Sequence, residues 1–379
     1  MSLNHIPVDL LKQSKKILFI AHLALGDFTY LQNCLRALAQ AYPHLEIHVW
    51  VDELRRTKDS AQWPHLQKYA LYDWLRECPY IAKTYDQTYS PQLLKQSIKQ
   101  AQSESYPLVV SLGLLRRAKY ARLARKLSPN GFVVGQVKPV HFGDLRTYLA
   151  YRRLDAVIPF YKKQTIDPKH ISAIYAGWFE DLFSIDIPIS ERFPFVEIAD
   201  QWHSQASASL EQWNLDRLNK IIFLNGFSKA KERSWSLERI VELAKEIKRQ
   251  PQWSKIGFIV NVVPEHMQQA RALIKSHQLN WLHLFSAEDN FFQLPAMLSV
   301  CNLIVSVETA VMHLANAVNV PVIALMRQTS PEWTPIDSNN STVIVVDTPK
   351  GGVEEISVQQ VIDVMTTWKP SIVALSNLS

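Results

Sequence analysis

Apolar residues along the chain are grouped in short runs rich in Val, Ile, Leu and Phe, and segments with helical spacing separate most of these runs. Runs of this length and composition predict buried strands. The eleven runs are residues 16–23, 45–52, 106–113, 131–137, 155–161, 220–227, 255–263, 281–287, 302–308, 320–326 and 341–347. Strands that alternate with helices are typical of parallel sheets that are covered by helices on both faces.

The alternation is interrupted once, by an irregular Pro-containing segment at residues 184–202. A chain of 379 residues is long enough for two domains. We therefore predict an α/β fold of two Rossmann-like domains, with parallel sheets that face each other across a cleft. The N-terminal domain spans residues 1–185 and the C-terminal domain spans residues 203–352. Residues 353–379 form a C-terminal helix and tail that we expect to pack back on the N-terminal domain.

One predicted strand–helix–strand unit carries polar residues at the edge where open α/β sheets bind ligands. It lies at residues 305–325, "VSVETAVMHLANAVNVPVIAL", and its polar interruptions exclude a membrane span. Glu308 and Thr309 follow its first strand, and an acid at that position would suit the hydroxyls of a sugar. Thr309 and His313 are four residues apart and share one face of the predicted helix. A structurally satisfied core histidine and a ligand-binding histidine remain equal alternatives for His313.

A second candidate site follows the first predicted strand, in "AHLALGDFTYL" at residues 21–31. Gly26 permits a tight or left-handed turn, and Asp27 stands where a helix N-cap would be. Asp27 is therefore either a capping residue or a carboxylate at the sheet edge that accepts a proton. Gly26 lacks the partner glycines of a dinucleotide-binding fold, which disfavours a nicotinamide or flavin oxidoreductase.

The segment after the predicted strand at residues 220–227 is basic. Ser228, Lys229 and Arg233 lie between this strand and a helix that begins near Ser236. Cations and free backbone N–H groups at such a position favour a phosphate or a diphosphate. A solvated basic loop is the alternative.

A helical pattern at residues 114–126 is also basic and contains Arg116, Arg117 and Lys119. Such a face is either solvated or in contact with an acidic acceptor or an anionic headgroup. The net charge of the chain, +6 with His neutral, favours anionic partners in general. Nucleic acid is the least favoured of these partners, because aromatic residues are not interleaved with the basic ones.

The composition argues against a metal centre and against an oxidising compartment. The three cysteines lie far apart without metal-ligand spacing, which disfavours a disulfide framework and a zinc site. The sequence has no Asp-X-Asp pair that could hold a metal-bound diphosphate, so we expect no metal and no cofactor. The first residues lack the apolar core of a signal peptide. We therefore expect a cytoplasmic protein, with basic residues that can touch a membrane surface.

Three motifs resemble those of the lipopolysaccharide heptosyltransferase family, whose members are two-domain glycosyltransferases of the GT-B fold. "GDFTYLQNCLRAL" at residues 26–38 resembles the Gly-Asp turn and first helix of the family, and "NGFSKAKERSW" at residues 225–235 resembles its donor-phosphate loop. The stretch "VSVETAVMHLANAVNVPVIAL" resembles the motif that wraps the donor. The sequence differs from the family pattern at Glu308, Ala310 and the loop "RQTSPEW" at residues 327–333, where the family has Asp, Gly and Gly-Pro-Thr-x-Pro.

The resemblance implies an inverting, metal-independent glycosyltransferase of lipopolysaccharide core biosynthesis, with Asp27 as its general base. It would transfer a sugar, by family default a heptose from an ADP-sugar, to an anionic glycolipid, the lipopolysaccharide or lipooligosaccharide core. The protein would work at the inner face of the inner membrane, with the acceptor on the N-terminal domain and the donor on the C-terminal domain. The implied donor-binding residues are Ser228, Lys229, Arg233, Glu265, Glu308, Thr309, Ala310 and His313. The implied acceptor-binding residues are Gly26, Arg116, Arg117 and Lys119.

The sequence is also compatible with two other functions. A nucleotide-sugar epimerase or hydrolase could use the same fold, and it would release free nucleotide without any acceptor. A non-catalytic nucleotide-sugar-binding protein would bind the donor without turnover. In that second case, the differences from the family pattern at Glu308 and Ala310 would mean that the site has lost its catalytic activity.

Overall fold

The computed structural model describes residues 5–21, 24–52, 59–67, 70–113, 115–141, 143–158, 169–218, 220–253 and 255–367. The chain divides into two compact units, of which the first ends at Phe193 and the second begins at Pro194. This division falls inside the Pro-containing segment that separates the two predicted domains.

Each unit is built on one six-stranded parallel sheet. The strands of the first sheet are β1 (Lys16–Ala21), β2 (Glu46–Val51), β3 (Lys83–Tyr85), β4 (Leu108–Ser111), β5 (Phe132–Gln136) and β6 (Ala156–Ile158). Those of the second are β7 (Lys220–Asn225), β8 (Ile256–Asn261), β9 (Leu282–Phe285), β10 (Leu303–Val307), β11 (Val322–Met326) and β12 (Ser341–Val345). The central strands are buried on both faces, which explains their nearly continuous apolar runs.

The helices connect successive strands. The first unit contains α1 (Val8–Gln13), α2 (Leu25–Ala41), α3 (Trp63–Leu66), α4 (Ala70–Glu77), α5 (Pro91–Ser103), α6 (Arg117–Leu127), α7 (Leu145–Tyr151) and α8 (Ile171–Phe183). The second contains α9 (Asp200–Gln212), α10 (Leu237–Arg249), α11 (Met267–Ser276), α12 (Gln293–Ser299), α13 (Ala310–Ala317) and α14 (Val358–Thr367). Alternation of these helices with parallel strands confirms the predicted α/β fold class.

The two sheets have the same doubly wound strand order. The orders are β3-β2-β1-β4-β5-β6 and β12-β11-β10-β7-β8-β9. In each sheet the winding reverses between two central strands, β1 and β4 in the first and β7 and β10 in the second. Ligands of open α/β sheets bind outside the carboxyl ends of the strands at such a point. The candidate site residues are therefore expected at these two edges.

The last described helix, α14, packs on the second unit. Its residues Val358, Val361, Ile362 and Met365 are buried in the same core as Phe258 of β8. The expectation that the C-terminal helix packs on the N-terminal domain is therefore wrong for this helix, because its apolar face completes the core of the second unit. Residues 368–379 of the expected tail lie outside the described residues.

All eleven predicted strands are present within their expected runs. The run at residues 155–161 is confirmed as far as Ile158, because residues 159–161 lie outside the described residues. β3, a three-residue strand at the edge of the first sheet, was not predicted from the sequence.

Candidate active site

A buried hydrogen-bond network joins the carboxyl ends of β7, β8 and β10. The side-chain amide of Asn225 donates to Ser306 Oγ and to Thr309 Oγ1, each at 3.0 Å. Asn261 Nδ2 donates to Asn225 Oδ1 at 2.9 Å. Asn225 and Ser306 are buried, so these bonds form in a low-dielectric environment where they hold the strand ends firmly. The network thus fixes the sheet edge at the point where the winding of the second unit reverses.

Thr309 is the N-cap of α13. Its Oγ1 accepts the backbone N–H of Val311 at 3.3 Å, which satisfies one of the unpaired donors at the start of the helix. The helix begins directly after β10, so its positive end lies at the carboxyl edge of the sheet. Partial positive charge at a helix N-terminus favours an anion.

The loop between β7 and α10 is closed by a hydrogen bond between its two ends. The Trp235 N–H donates to the Gly226 carbonyl at 2.9 Å and so joins the two ends of the loop. Only glycine fits at position 226, because a Cβ there would lie 2.3 Å from Ile240 Cδ1 and 2.9 Å from the Trp235 carbonyl oxygen. Inside the loop, Ser234 Oγ accepts the Ser228 N–H at 3.2 Å. These contacts hold the basic residues of the loop at a fixed distance from the end of β7.

Arg233 lies in this loop, in the 3₁₀ turn Lys231–Arg233. Its Nε is buried and has no hydrogen-bond partner among the described residues. A buried donor that lacks a partner is costly, and a guanidinium donor is well suited to a phosphate oxygen. Ser228 is half-buried and Lys229 is exposed in the same loop. The loop therefore presents cationic donors at the sheet edge that Thr309 also occupies.

Glu308 forms a buried ion pair with Arg327, which follows β11. The Arg327 Nε lies 3.3 Å from Glu308 Oε2, and Nη2 lies 3.5 Å from Oε1. The Arg327 backbone N–H donates to the same Oε2 at 3.4 Å. Only 6% of the Glu308 side chain is exposed. The Arg327 Nη1 also lies 3.7 Å from Glu232 Oε1, so the pair extends to the basic loop.

The remaining residues predicted for this unit differ in exposure. His313 is buried in α13, and its ring centroid lies 5.9 Å from that of Trp333. Ala310 is half-buried in the first turn of the same helix. Glu265 is exposed just after β8. Thr309 as the N-cap and Ala310 and His313 within α13 thus belong to one helix, which the sequence predicted for this segment.

Asp27 is the third residue of α2 and not its N-cap. The N-cap is Ala24, whose N–H donates to Asp27 Oδ2 at 2.9 Å. Gly26 lies in the first turn of the helix, so the expected tight or left-handed turn at this glycine is wrong. The capping alternative is realised through one carboxylate oxygen, although from a different helix position than predicted. Asp27 is half-buried and stands close after β1, at the point where the winding of the first unit reverses.

The other carboxylate oxygen of Asp27 faces α8. Tyr175 donates its hydroxyl to Asp27 Oδ1 at 3.2 Å. Burial, together with the nearby charge of Asp27, raises the pKa of Tyr175 well above its ordinary value. The tyrosine therefore stays protonated at physiological pH and remains a fixed donor that orients the carboxylate.

The basic residues near the start of α6 have different surroundings. Arg116 is exposed, and Arg117 is half-buried with a guanidinium pKa that partial burial lowers. Lys119 Nζ donates to Asp52 Oδ2 at 2.7 Å, and the Tyr120 hydroxyl donates to the same oxygen at 2.6 Å. Asp52 is buried at the end of β2. Lys119 therefore neutralises a buried carboxylate, whereas Arg116 is exposed to the solvent.

The described residues also bear on metal binding and on membrane insertion. Within the described ranges, no group of three or more His, Cys, Asp or Glu side chains could hold a metal ion. Cys34, Cys78 and Cys301 are buried free thiols. None of the described helices combines the length and the apolar character that a membrane-spanning helix requires.

A family model decides the identity of the chain. The model of glycosyltransferase family 9 (heptosyltransferase) matches residues 148–359, which is more than half of the 379 residues. The chain belongs to this family. The matched region contains the Asn225 network, the basic loop and the Glu308–Arg327 pair. Membership confirms the resemblance inferred from the motifs and the enzyme class that it implied.

Individual relatives of this family 9 chain are distant. Lipopolysaccharide heptosyltransferase 2 of Escherichia coli (strain K12) is 25% identical over 160 residues, which cover 42% of this chain and 45% of the relative. The aligned region therefore spans less than half the length of that relative. The solved family 9 glycosyl transferase of Veillonella parvula has a TM-score of 0.70 and 18% identity, over 96% of this chain and 98% of that one.

Two E. coli structures are also similar in fold. ADP-heptose lps heptosyltransferase II has a TM-score of 0.66 and 19% identity, over 93% of this chain and 98% of that one. Heptosyltransferase WaaC, solved with ADP, has a TM-score of 0.57 and 16% identity, over 93% and 97%. These similarities confirm the predicted GT-B fold of the family 9 chain.

Arg327 and Tyr175 contact predicted site residues, and neither was singled out from the sequence. Arg327 pairs with Glu308, and a signal for it was present. β10 and β11 were both predicted as parallel strands of one sheet, so residues directly after them lie at the same edge. Tyr175, which contacts Asp27, had no such signal, because it lies on a helix 148 residues later in the chain.

We expect Asn225→Ala to lower the free energy of unfolding by about 1–3 kcal/mol, because three buried or half-buried polar partners would lose their hydrogen bonds. Urea unfolding followed by circular dichroism measures this loss. Asn339→Ala, at an exposed position outside the network, should change the free energy by less than about 0.5 kcal/mol. Equal effects of the two substitutions would contradict a structural role of the network.

Proposed function

We propose that the protein is an inverting glycosyltransferase that moves a heptose from an ADP-heptose donor to the core of lipopolysaccharide or lipooligosaccharide. The observation that carries this proposal is the buried Arg233 Nε, which lacks a hydrogen-bond partner among the described residues, in the loop after β7, whose neighbour β10 leads into the capped N-terminus of α13. These groups form an anion site at the edge where the winding of the second sheet reverses, and a nucleotide diphosphate is the anion such an edge suits. The solved E. coli relatives, one with ADP and one named for ADP-heptose, support the choice of donor.

The donor would lie on the second unit. Arg233, Lys229 and Ser228 would contact the diphosphate together with the first turn of α13 at Thr309 and Ala310. His313 would line the same site, and Glu265 would bind the ribose from the end of β8. Glu308 would act through its pair with Arg327. The guanidinium offsets the negative charge that this carboxylate would otherwise place near the diphosphate.

The transfer would be a single displacement, which inverts the anomeric configuration. An acceptor hydroxyl oxygen attacks the anomeric carbon of the heptose and passes its proton to Asp27. The bond between the anomeric carbon and the diphosphate oxygen breaks, and ADP leaves with the negative charge. Arg233 and the positive end of α13 stabilise this charge as it grows. Tyr175 keeps the Asp27 carboxylate oriented during the step.

The acceptor would lie on the first unit, near Gly26 and Asp27. Arg116 and Arg117 would contact anionic groups of the glycolipid core. Lys119 would contribute less, because it already pairs with buried Asp52. We place the protein in the cytoplasm at the inner face of the inner membrane, where a soluble nucleotide sugar meets a membrane-bound acceptor.

Incubation of the purified protein with ADP-heptose and a truncated lipopolysaccharide core tests the proposal. Mass spectrometry should show an acceptor heavier by one heptose residue, with release of one ADP for each transfer. Release of nucleotide without any acceptor would instead identify a hydrolase or an epimerase. Binding of ADP-heptose without turnover on any core acceptor would identify a non-catalytic binding protein. Either result overturns the proposal.

Arg233→Met should weaken ADP binding by roughly 10- to 100-fold, because a charge-assisted hydrogen bond is worth about 1.5–3 kcal/mol. Isothermal titration calorimetry measures the affinity. Lys231→Met provides the matched control, since Lys231 is an exposed cation of the same turn. If both variants lose the same affinity, the loop acts through its overall charge, and the specific assignment of Arg233 is wrong.

A further inference from the structure

Helix α7 exposes an apolar stripe. Leu145, Tyr148 and Leu149 are 62%, 50% and 49% exposed. At about 100° per residue, positions i, i+3 and i+4 lie on one face of a helix. The opposite face carries Ala150, which is buried, and Tyr151, which is half-buried. The helix therefore packs through its small and polar side and turns its large apolar side chains to the solvent, as an interaction surface does.

Basic side chains flank the stripe in the sequence. Four exposed cations belong to the segment 138–153, and they are Lys138, Arg146, Arg152 and Arg153. The Arg152 guanidinium lies 6.0 Å from the ring centroid of Tyr148. The single acidic residue of the segment, Asp144, is the N-cap of α7, where its Oδ1 accepts the Thr147 N–H at 3.1 Å. The α7 patch, defined as Leu145, Tyr148, Leu149 and these four cations, is therefore both apolar and strongly positive.

We propose that the α7 patch docks the protein on an anionic lipid bilayer. The three apolar side chains insert at the boundary between headgroups and acyl chains, and the cations contact anionic headgroups. An apolar face flanked by Lys and Arg is the pattern of a helix that lies in a membrane interface. A second copy of the chain fits the patch poorly, because self-association through it would bring like charges together. The acyl chains of an anionic bilayer can receive the apolar side chains, and its headgroups can pair with the cations. Such binding requires no shape-complementary groove.

The proposal goes beyond glycosyl transfer, and its test requires neither donor nor acceptor. The full-length protein is sedimented with vesicles of phosphatidylcholine alone and of phosphatidylcholine mixed with an equal amount of phosphatidylglycerol. We expect preferential binding to the anionic vesicles that falls as salt is added. Leu145→Ser/Tyr148→Ser/Leu149→Ser should reduce this binding at least about tenfold. Arg146→Gln/Arg152→Gln should reduce it by roughly fivefold for each charge removed.

Ile189→Ser is the matched control. Ile189 is 68% exposed in the same unit, in a short turn that also contains acidic Glu191, and its substitution should leave vesicle binding unchanged. All these positions are exposed, so circular dichroism should show folded proteins throughout. Three results would overturn the proposal: no binding of the wild-type protein, equal binding to both kinds of vesicle, or an equal loss in the Ile189 variant. A dimer that the triple serine variant converts to a monomer, with unchanged vesicle binding, would assign the patch to self-association instead.

Discussion

Asp27→Asn is expected to lower the rate of heptose transfer by on the order of 10²–10⁴-fold, which is the usual contribution of a general base. Asparagine cannot take the proton of the acceptor hydroxyl. Its side-chain oxygen can still accept the Ala24 N–H, so the start of α2 should stay intact. ADP affinity should be close to that of the wild-type protein, because the nucleotide is assigned to the other unit. Single-turnover assays with ADP-heptose and a core acceptor measure the rate, and calorimetry measures ADP affinity.

Asp27 also stabilises its own helix, so the loss of a capping contact must be separated from the loss of a base. Asp27→Ala removes both and should cost about 0.5–2 kcal/mol of stability beyond the asparagine variant. Ser90→Ala removes a comparable cap of α5 in the same unit and should reduce stability without reducing transfer. Near-normal turnover of Asp27→Asn would show that another group accepts the proton and that the contact with Ala24 is the main role of this residue.

The central strands could be predicted from the sequence because burial on both faces leaves them almost no polar positions. β3 could not be predicted in this way. It consists of Lys83, Thr84 and Tyr85, and it is held by contacts from distant parts of the chain. Lys83 Nζ donates to Glu104 at 2.7 Å, and the Tyr85 and Tyr106 hydroxyls share a hydrogen bond at 2.9 Å. Tertiary contacts rather than local pattern therefore decide that this short polar segment is a strand.

Candidate residues that directly follow a strand could also be placed from the sequence. Ser228 and Thr309 come shortly after the neighbouring strands β7 and β10, and they lie at one edge because neighbouring parallel strands end at the same side of a sheet. The first residue of α2 was harder to predict from the sequence, because the N-cap of this helix is Ala24, a residue without a capping side chain. The acidic residue at position 27 gave a stronger capping signal, although it lies inside the helix. The partner of Asp27, Tyr175, comes from another helix, and only the folded chain shows their contact.

The structure explains two of the differences from the family pattern, at Glu308 and in the loop at residues 327–333. Glu308 has a longer side chain than the Asp of the family, and Arg327 stands in the loop that replaces Gly-Pro-Thr-x-Pro. Their pairing links the two differences, because a buried acid requires a counter-charge, and a residue of the changed loop supplies it. The expectation that Glu308 meets sugar hydroxyls by itself did not include this partner. We propose that Arg327 keeps the negative charge of Glu308 from repelling the donor diphosphate.

Arg327→Met should therefore weaken ADP binding at least about tenfold and lower the free energy of unfolding by about 3 kcal/mol, since it leaves a buried carboxylate without its partner. Calorimetry and urea unfolding measure the two effects. Arg249→Met is the matched control in the same unit, because Arg249 pairs with Glu246 at the surface. Loss of that exposed pair should change stability by less than about 1 kcal/mol.

The double variant Glu308→Gln/Arg327→Met distinguishes neutralisation from direct contact with the donor. If Arg327 acts by neutralising Glu308, removal of the acid restores most of the ADP affinity and stability that the single Arg327 variant loses. If Arg327 instead binds a phosphate, stability recovers in the double variant but ADP affinity does not. Glu308→Gln alone should bind ADP about as well as the wild-type protein, because the diphosphate can pair with the released guanidinium. An equal loss of ADP-heptose affinity in Glu308→Gln and Arg327→Met would show that the carboxylate itself contacts the donor, which would overturn the neutralising role.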